Sequence, residues 1–348
     1  MSKGEKWSLA DPWNEAAKSV NRPLVPRSYI FGSEIFGPKI DRYLSMLAVE
    51  PSNPPNDRSL RKFFAGKVWE YVVKQVLLVC GVYHQEEIKI DAIPFSGLLP
   101  VHSRCDFIAG GYVDKDEAFA KIQEHHLPDI LHGIATRAIN MWHGKNLEKK
   151  ILEIKSLSMF AFDYVERRRK PINRHVGQAY NYERNNKEGY EAYIGYVSKD
   201  TVLLKEFSLT AAEIEPAYQQ DIAQMSYYYM KREAPPLDPL MGFDDSIGSF
   251  TKNLNVEYSN YLTMLYGFAS PDDYRRNIQP TVLKWNNVLS RYARVENGGT
   301  TPTGKIMEIS KKNKEVRQEI INSGYDFNEL LQIKMQFLND DSVIEEEN

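Results

Sequence analysis

The segment Ile151–Ser156 constrains the fold of this chain more than any other. It reads Ile-Leu-Glu-Ile-Lys-Ser, which is apolar and β-branched enough to form the core of a strand. Because side chains alternate across a strand, Glu153 and Lys155 would share one face while Leu152 and Ile154 pack on the other. Burying a carboxylate and an ammonium costs desolvation free energy, so their presence on a buried strand would indicate a function that requires them. The segment by itself favours a surface ion pair on an edge strand, because Glu-x-Lys is frequent by chance.

Two upstream segments each carry an acid within an apolar pattern. The spacing of apolar residues from Leu60 to Cys80 predicts a helix. Glu70 lies on the same face of this helix as Phe63, within the apolar stripe. Gly66, one turn earlier, is expected to leave room for another backbone. A strand that ends at a turn of two glycines, residues 110 and 111, carries Asp106 in its middle. Glu70 is therefore predicted to lie away from the solvated helix face.

Downstream of the central strand, Gln178 and Tyr182 lie one helical turn apart and share a helix face. The chain order is a helix with a glutamate, a strand with an aspartate, a strand with Glu-x-Lys and a helix with Gln-x-x-x-Tyr. Each signal alone is weak, but the ordered set is strong. The set resembles the PD-(D/E)XK nuclease superfamily, in the branch of lambda-type exonucleases and the nuclease domain of RecB.

The resemblance covers roughly residues 28–235 and implies an α/β, restriction-endonuclease-like core with a central mixed sheet flanked by helices. We expect a lead-in with a short helix over residues 1–58, the nuclease core over 59–236 with a helical insertion over 112–150, and a helical C-terminal subdomain with an acidic tail over 237–348. The insertion is interpreted as a helical arm, interrupted near Pro128, that guides or separates DNA strands.

The remaining elements follow from hydrophobic periodicity. Strands are predicted over residues 82–90, 94–108, 191–197 and 202–207, and helices over 211–231, 246–266, 271–294 and 305–322. Residues 52–56 are expected to form a linker.

The resemblance also assigns site residues. The implied ligands of Mg²⁺, or alternatively Mn²⁺, are three acids and one main-chain carbonyl: Glu70, Asp106, Glu153 and Ile154. Glu70 would act directly or through water and could support a second ion. Lys155 would orient or deprotonate the attacking water. Gln178 and Tyr182 would contact the scissile strand or support Lys155, and a hydrogen-bonded pair without catalytic effect is the alternative.

The densest run of positive charge follows the central strand. Its cations and one more on the next helix are predicted to contact DNA phosphates: Arg167, Arg168, Arg169, Lys170 and Arg174. A solvated helix end is the alternative. Phe160, Phe162 and Tyr164 are available for base stacking, although such spacing is more often that of core residues. Lys39 and Arg42, on a helix predicted from proline 38, are further candidates, with solvated charges as the alternative.

Composition excludes several classes. The chain has 348 residues, 42% of them hydrophobic, and its formal charge of -3 argues against a histone-like coating protein. Two cysteines, Cys80 and Cys105, form no disulfide framework and are too few for the iron–sulfur cluster of some relatives in the resembled family. No run approaches the ~18 apolar residues of a membrane span, and the N-terminus lacks a signal-peptide core. A bacterial or phage-infected cytoplasm is the expected location.

The expected function is a Mg²⁺-dependent deoxyribonuclease that hydrolyses phosphodiester bonds from DNA ends in recombination, repair or phage DNA processing. A structure-specific or single-strand endonuclease is one alternative. A non-catalytic, nuclease-derived DNA-binding or recruitment module is another, although the presence of Asp106, Glu153 and Lys155 argues against it. Whichever of these functions holds, the C-terminal helices are expected to bind DNA, another copy of the chain, or a recombination or replication partner.

Overall fold

The computed structural model describes residue 15 and residues 24–55, 57–91, 97–300 and 303–344, without the side chains of residues 57, 58, 86, 87, 91 and 339–344. The chain divides into two compact units. The first comprises Met1–Glu50 and Pro54–Pro236, and the second comprises Pro51–Asn53 and Leu237–Asn348. The first two residues of the predicted linker, Ser52 and Asn53, thus belong to the second unit.

A six-stranded mixed sheet forms the centre of the first unit. Its strands are β1 (Ile30–Phe31), β2 (Tyr83–Asp91), β3 (Val101–Tyr112), β4 (Asn146–Leu157), β5 (Ala192–Ser198) and β6 (Leu204–Ser208). Their order is β1-β3-β4-β5-β6, with β2 also paired to β3. The β4–β5 and β1–β3 pairs are parallel, whereas the β2–β3, β3–β4 and β5–β6 pairs are antiparallel.

Helices cover both faces of this sheet. They are α1 (Lys39–Met46), α2 (Asp57–Val79), α3 (Lys115–Glu124), α4 (Asp129–Trp142), α5 (Met159–Arg168), α6 (Asn173–Asn185) and α7 (Ala211–Lys231). Residues of α2, α3 and α4 pack with Leu152 and Ile154, and residues of α5 and α6 pack with Ile151 and Ile194. The predicted fold class, a central mixed sheet flanked by helices, is confirmed.

The insertion between β3 and β4 is part of the core rather than a projecting arm. Ala118 and Ile122 of α3, with Ala135 and Ile139 of α4, are buried in the cluster that covers one face of the sheet. Pro128 occupies the N-cap of α4 and so separates the two helices, as its fixed φ predicts. The predicted end of the insertion at residue 150 is too late, since β4 begins at residue 146.

The predicted turn at Gly110 and Gly111 is a bulge inside β3. The β3–β4 register shifts between Ala109 and Gly111, and both glycines have positive φ, 147° and 105°. A Cβ on Gly110 would lie 2.6 Å from the Cα of Lys149, so only glycine fits this approach. The strand therefore continues to Tyr112 instead of ending.

The second unit is a helical domain with one hairpin. Its elements are β7 (Met241–Asp244), β8 (Ser249–Lys252), α8 (Leu254–Glu257), α9 (Leu262–Tyr266), α10 (Pro271–Glu296), α11 (Lys311–Asn322) and α12 (Phe327–Ile344). The helix expected over residues 246–266 is wrong in its first part, because the Asn286 side chain bonds the N–H and C=O of Phe250 (2.7 and 2.8 Å) and Phe250 packs on Trp285. Helix α12 was not predicted.

Two predictions from composition concern the whole chain. No helix in the described ranges is long and apolar enough to cross a bilayer. Cys80 and Cys105 are free and buried, and burial raises the pKa of both thiols to about 12. These thiols are therefore packing residues rather than nucleophiles.

Candidate active site

The candidate site lies where β3 and β4 separate. Towards this end of the strands, the last residue pair of their ladder is Phe107 with Leu152. Beyond it, the Ile154 N–H donates a hydrogen bond to Oδ2 of Asp106, at 2.8 Å. A side-chain carboxylate thus replaces a main-chain acceptor of the ladder. The result is that Asp106 is fixed beside Glu153, on an opening in the sheet.

Glu153 is a fully buried carboxylate. Its Oε1 accepts a hydrogen bond from Lys155 Nζ, whereas its Oε2 has no hydrogen-bond partner among the described residues. The Tyr182 hydroxyl lies nearby but donates to the carbonyl of Arg104, so it does not satisfy Oε2. Burial, followed by the charge of Asp106, raises the pKa of Glu153 to about 8. This carboxyl group therefore favours a proton or a cation.

Lys155 is the positive counterpart on the same strand face. Burial alone would lower its pKa, but the carboxylates of Glu153, Asp106 and Glu70 outweigh burial and raise the pKa above its ordinary value. In this arrangement the amine is protonated at neutral pH. It can therefore orient a water molecule or a phosphate oxygen, and this protonated state does not favour the predicted alternative in which it deprotonates the water.

Glu70 lies at the margin of the buried face of α2. Its side chain is 20% exposed and forms an ion pair with Lys67 at 2.5 Å, while Phe63 of the predicted apolar stripe is 53% exposed. Burial and the charge of Asp106 raise the pKa of Glu70, which places the two acids in one electrostatic neighbourhood. The close backbone approach expected at Gly66 is wrong. A Cβ there would meet only the Ser156 Oγ, at 3.8 Å.

The three acids do not form a ready-made metal cluster. Within the described ranges, no group of three or more His, Cys, Asp or Glu side chains is arranged to hold an ion. Glu70 pairs with Lys67, so in this conformation it completes no three-acid group with Asp106 and Glu153. The donor set that fits a hard divalent cation is the carboxylate pair Asp106 and Glu153, with the unpartnered Oε2, and the main-chain oxygen of Ile154.

Gln178 and Tyr182 attach α6 to β3. Gln178 Nε2 donates to the Tyr182 hydroxyl at 2.6 Å, and that hydroxyl donates to the Arg104 carbonyl, also at 2.6 Å. Tyr182 is completely buried, so direct contact of its ring with a DNA strand is excluded in this conformation. The pair instead attaches α6 to the main chain of Arg104, two residues before Asp106 on β3. This arrangement is compatible with support of the site and with a hydrogen-bonded pair that has no catalytic effect.

Sequence reasoning missed a third α6 residue, His175. Its Nδ1 lies 2.9 Å from the hydroxyl of Tyr196, the residue of β5 that pairs with Lys155. Burial, and then the charges of Lys155 and Arg174, lower the pKa of His175 well below its ordinary value. The imidazole is thus neutral. The available signal was its position three residues before Gln178 and seven before Tyr182, on the same helix face.

The predicted DNA contacts divide into exposed and occupied cations. Arg167, Arg169, Lys170 and Arg174 are exposed. Arg168 is half-buried, with Nη1 bonded to the Tyr164 hydroxyl at 2.6 Å and its guanidinium over that ring. Of the aromatic residues proposed for stacking, Phe160 is 78% exposed, but Phe162 is a core residue, so the stacking role of Phe162 is wrong. The exposed cations remain candidates for phosphate contact.

The prediction that Arg42 contacts DNA phosphates is wrong. Its side chain is 3% exposed and forms two hydrogen bonds with Asp221 of α7, both 2.7 Å long. A guanidinium held in this way joins α1 to α7 and does not reach a phosphate. Lys39, the first residue of α1, is half-buried.

Two lysines near the end of β4 were not predicted. The Lys199 N–H donates to the Leu157 carbonyl at 2.8 Å, and the Met159 N–H donates to Asp200 at 2.6 Å. These bonds hold the β5–β6 turn against the strand that carries Lys155. Burial, and then the nearby charge of Lys62 on α2, lower the pKa of Lys199. Two like charges thus lie together at this end of the sheet.

Comparisons with known proteins give a distant structural likeness. No protein-family model matches the sequence, and no curated protein matches it. The solved structure titled "Crystal structure of SSO0001" aligns with 75% of this chain and 98% of its own, with a TM-score of 0.41 and 10% identity. An alkaline exonuclease, LHK-Exo from Laribacter hongkongensis, aligns with 64% of this chain and 96% of its own, with a TM-score of 0.33 and 13% identity. Similarity this low identifies no function, which must be inferred from the site itself.

Proposed function

We propose that this protein is a metal-dependent DNA nuclease of the PD-(D/E)XK type, acting as an exonuclease from DNA ends. One observation carries the proposal. The buried Glu153 and the half-buried Lys155 form a pair that faces Asp106 where the sheet opens, and one Glu153 oxygen has no partner in the described structure. An unsatisfied buried carboxylate oxygen costs roughly 1–3 kcal/mol. A bound divalent cation would satisfy this oxygen, so the unpaired carboxylate is explained if the reaction depends on a cation.

The residues of the site meet the needs of phosphodiester hydrolysis. A phosphodiester repels nucleophiles through its own negative oxygens, so the reaction needs positive charge and an aligned water. Lys155 presents a protonated amine to the opening, and the Ile154 N–H fixes Asp106. A divalent cation held by Asp106, Glu153 and the Ile154 carbonyl would neutralise charge on the phosphate oxygens as the bond breaks. Glu70 would then act through water.

The surroundings of the site favour a polyanionic substrate. Arg167, Arg169, Lys170 and Arg174 are exposed on α5, on the segment after it and on α6. Arg174 is near enough to the site to affect the pKa of His175 and that of Tyr196. Cations of this kind contact phosphates without reading sequence. The preference for DNA ends rests on the Gln178 and Tyr182 pattern of the resembled branch.

The test uses end-labelled linear, nicked and closed-circular DNA with Mg²⁺ or Mn²⁺. We expect the wild type to degrade linear DNA and spare closed circles. Lys155→Ala should lower the rate by roughly 10²–10³-fold, the effect of losing one preorganised positive donor. Lys150→Ala is the matched control, because Lys150 lies on the same strand but pairs with Glu206 outside the site. Wild-type rates in Lys155→Ala would refute the mechanism, and cutting of circles would indicate an endonuclease.

A further inference from the structure

The cations of the second unit are unevenly distributed. Residues 291–317 contain seven Lys and Arg against three Asp and Glu, whereas the rest of residues 237–348 contains five against fourteen. The unit is therefore strongly polarised in charge, although the whole chain has a formal charge of -3. Such asymmetry creates a local positive potential that the net charge conceals.

The cations outside this stretch are occupied. Lys252 and Arg275 contact Glu257, Arg276 contacts Asp273, and Lys284 contacts Glu319. Lys334 donates to the Ser249 hydroxyl at 3.3 Å. These residues neutralise acids within the unit or attach its elements to one another.

Four cations within the stretch have no such partner in the described structure: Arg294, Lys311, Lys312 and Lys314. All four are exposed. We refer to them as the basic surface. The three lysines lie in the first turn of α11, where the helix dipole disfavours positive charge, so they do not stabilise the helix that carries them.

The packing of α10 against α11 brings the four residues to one end of the pair. Trp285 of α10 donates to Glu319 of α11 at 3.0 Å, and Arg317 of α11 lies over the ring of Tyr292, at 5.8 Å. As α10 runs forward, its contacts move backward along α11, so the helices are antiparallel. The start of α11 therefore lies beside the C-terminal end of α10, which carries Arg294.

Hydrogen bonds also hold the described residues of the loop between the helices. The Gly299 N–H donates to the Arg294 carbonyl at 2.8 Å, and the Met307 N–H donates to the Gly299 carbonyl at 3.1 Å. Arg291 reaches the Glu308 carbonyl at 3.4 Å. These bonds hold described residues of the connection between Arg294 and Lys311. The basic surface is carried by two helices that pack against each other.

We propose that the basic surface binds the sugar-phosphate backbone of DNA, as a second contact that retains the substrate of the proposed nuclease. Unpaired, exposed lysines and arginines supply sequence-independent phosphate contacts. This proposal rests on the proposed function for the identity of the polyanion. It does not depend on cleavage.

The experiment measures binding of the full chain to a labelled linear duplex by fluorescence anisotropy, in EDTA and over a series of salt concentrations. Arg294→Gln is compared with Arg276→Gln, because both are exposed arginines on α10. Arg276, 77% exposed, forms an ion pair with Asp273, whereas Arg294 has no such partner in the described structure. Arg294→Gln should reduce the slope of log K against log salt by about 1, and the triple variant Lys311→Gln, Lys312→Gln and Lys314→Gln by about 3. Arg276→Gln should match the wild type.

Other outcomes overturn the proposal. Wild-type affinity and slope in both Arg294→Gln and the triple variant would remove the basic surface from DNA binding, as would an equal loss in Arg276→Gln. Displacement of DNA by polyglutamate as effectively as by unlabelled DNA would assign the surface to an acidic protein. If the triple variant unfolds, Arg294→Gln decides. Cleavage by the wild type is assayed separately, so the nuclease proposal and this one can fail independently.

Discussion

At the scale of single residues, the Asp106 and Glu153 carboxylates should bind a divalent cation in the folded state. A ligand that binds only the folded state stabilises it by RT ln(1 + [L]/Kd), about 2.7 kcal/mol at one hundred times Kd. We expect Mg²⁺ or Mn²⁺ to raise the Tm of the wild type. Asp106→Asn retains an acceptor for the Ile154 N–H while removing the charge. Asp106→Asn and Glu153→Gln should each abolish most of the metal-dependent rise, as measured by calorimetry.

The control for metal binding is Glu206→Gln. Glu206 is an acid of the same sheet that pairs with Lys150 at 2.8 Å, away from the site. The Glu206→Gln variant should keep the full metal-dependent rise in Tm. An equal rise in Asp106→Asn would place the ion elsewhere.

His175 should give the stability a pH dependence on the acidic side. Its folded-state pKa lies well below the ordinary 6.5, so below pH 6.5 the unfolded chain binds a proton that the folded chain does not. The contribution of His175 to the free energy of unfolding is therefore fully present above pH 6.5. It is lost as pH falls below 6.5, by at most about 1.4 kcal/mol per pH unit. Urea denaturation between pH 7.5 and 5.5 should show that the stability of the wild type falls relative to that of His175→Gln, because Glu153, whose raised pKa acts in the opposite direction, is present in both. Tyr196→Phe should lower stability while keeping the wild-type dependence on pH.

Sequence predicted some residues and not others for a physical reason. The shared face of Glu153 and Lys155 followed from strand alternation, which is local. The burial of Arg42 depends on Asp221, 179 residues away, and no local pattern encodes that contact. Glu70 was placed on the correct helix, and its pairing with Lys67, three residues earlier, is a local contact that the apolar pattern did not show.

At the scale of elements, the Arg42–Asp221 pair should hold α1 to α7. Arg42→Ala leaves a buried, unpaired Asp221, which costs about 3–5 kcal/mol. We expect urea denaturation to show a loss of that size, and Arg42→Met with Asp221→Leu to recover most of it. Lys39→Ala, on the same helix but without a buried partner, should change stability little. DNA affinity of folded Arg42→Met with Asp221→Leu should equal that of the wild type, and a large loss would restore Arg42 as a phosphate contact.

The elements themselves were predictable where periodicity is strong. Helix α7 has the predicted bounds of residues 211–231, and β4 contains the whole predicted core. The hairpin β7–β8 was missed because Phe250 is stabilised as a strand residue by the Asn286 side chain, 36 residues later. The bulge at Gly110 was read as a turn because glycine pairs are typical of both.

At the scale of the whole molecule, each unit has its own buried core, one on the sheet and one around Phe250, Trp285 and Leu289. The short segment Pro51–Asn53 belongs to the second unit although it precedes most of the first unit. Sequence predicted a linker there because the segment is rich in proline and serine. It could not show that Asn53 bonds residues more than 200 positions later, at Asn260 and Thr263.

The two units should therefore unfold in separable transitions. Asn53 donates its N–H to the Asn260 carbonyl at 2.8 Å, and its Oδ1 accepts the Thr263 N–H at 2.7 Å. Asn53→Ala removes the second bond, so it should lower the transition of the second unit by about 1 kcal/mol and leave that of the first unchanged. Mg²⁺ should raise only the first-unit transition, because Asp106 and Glu153 belong to that unit. Differential scanning calorimetry with and without Mg²⁺ measures both. A single transition that shifts as a whole with either change would show that the units unfold together.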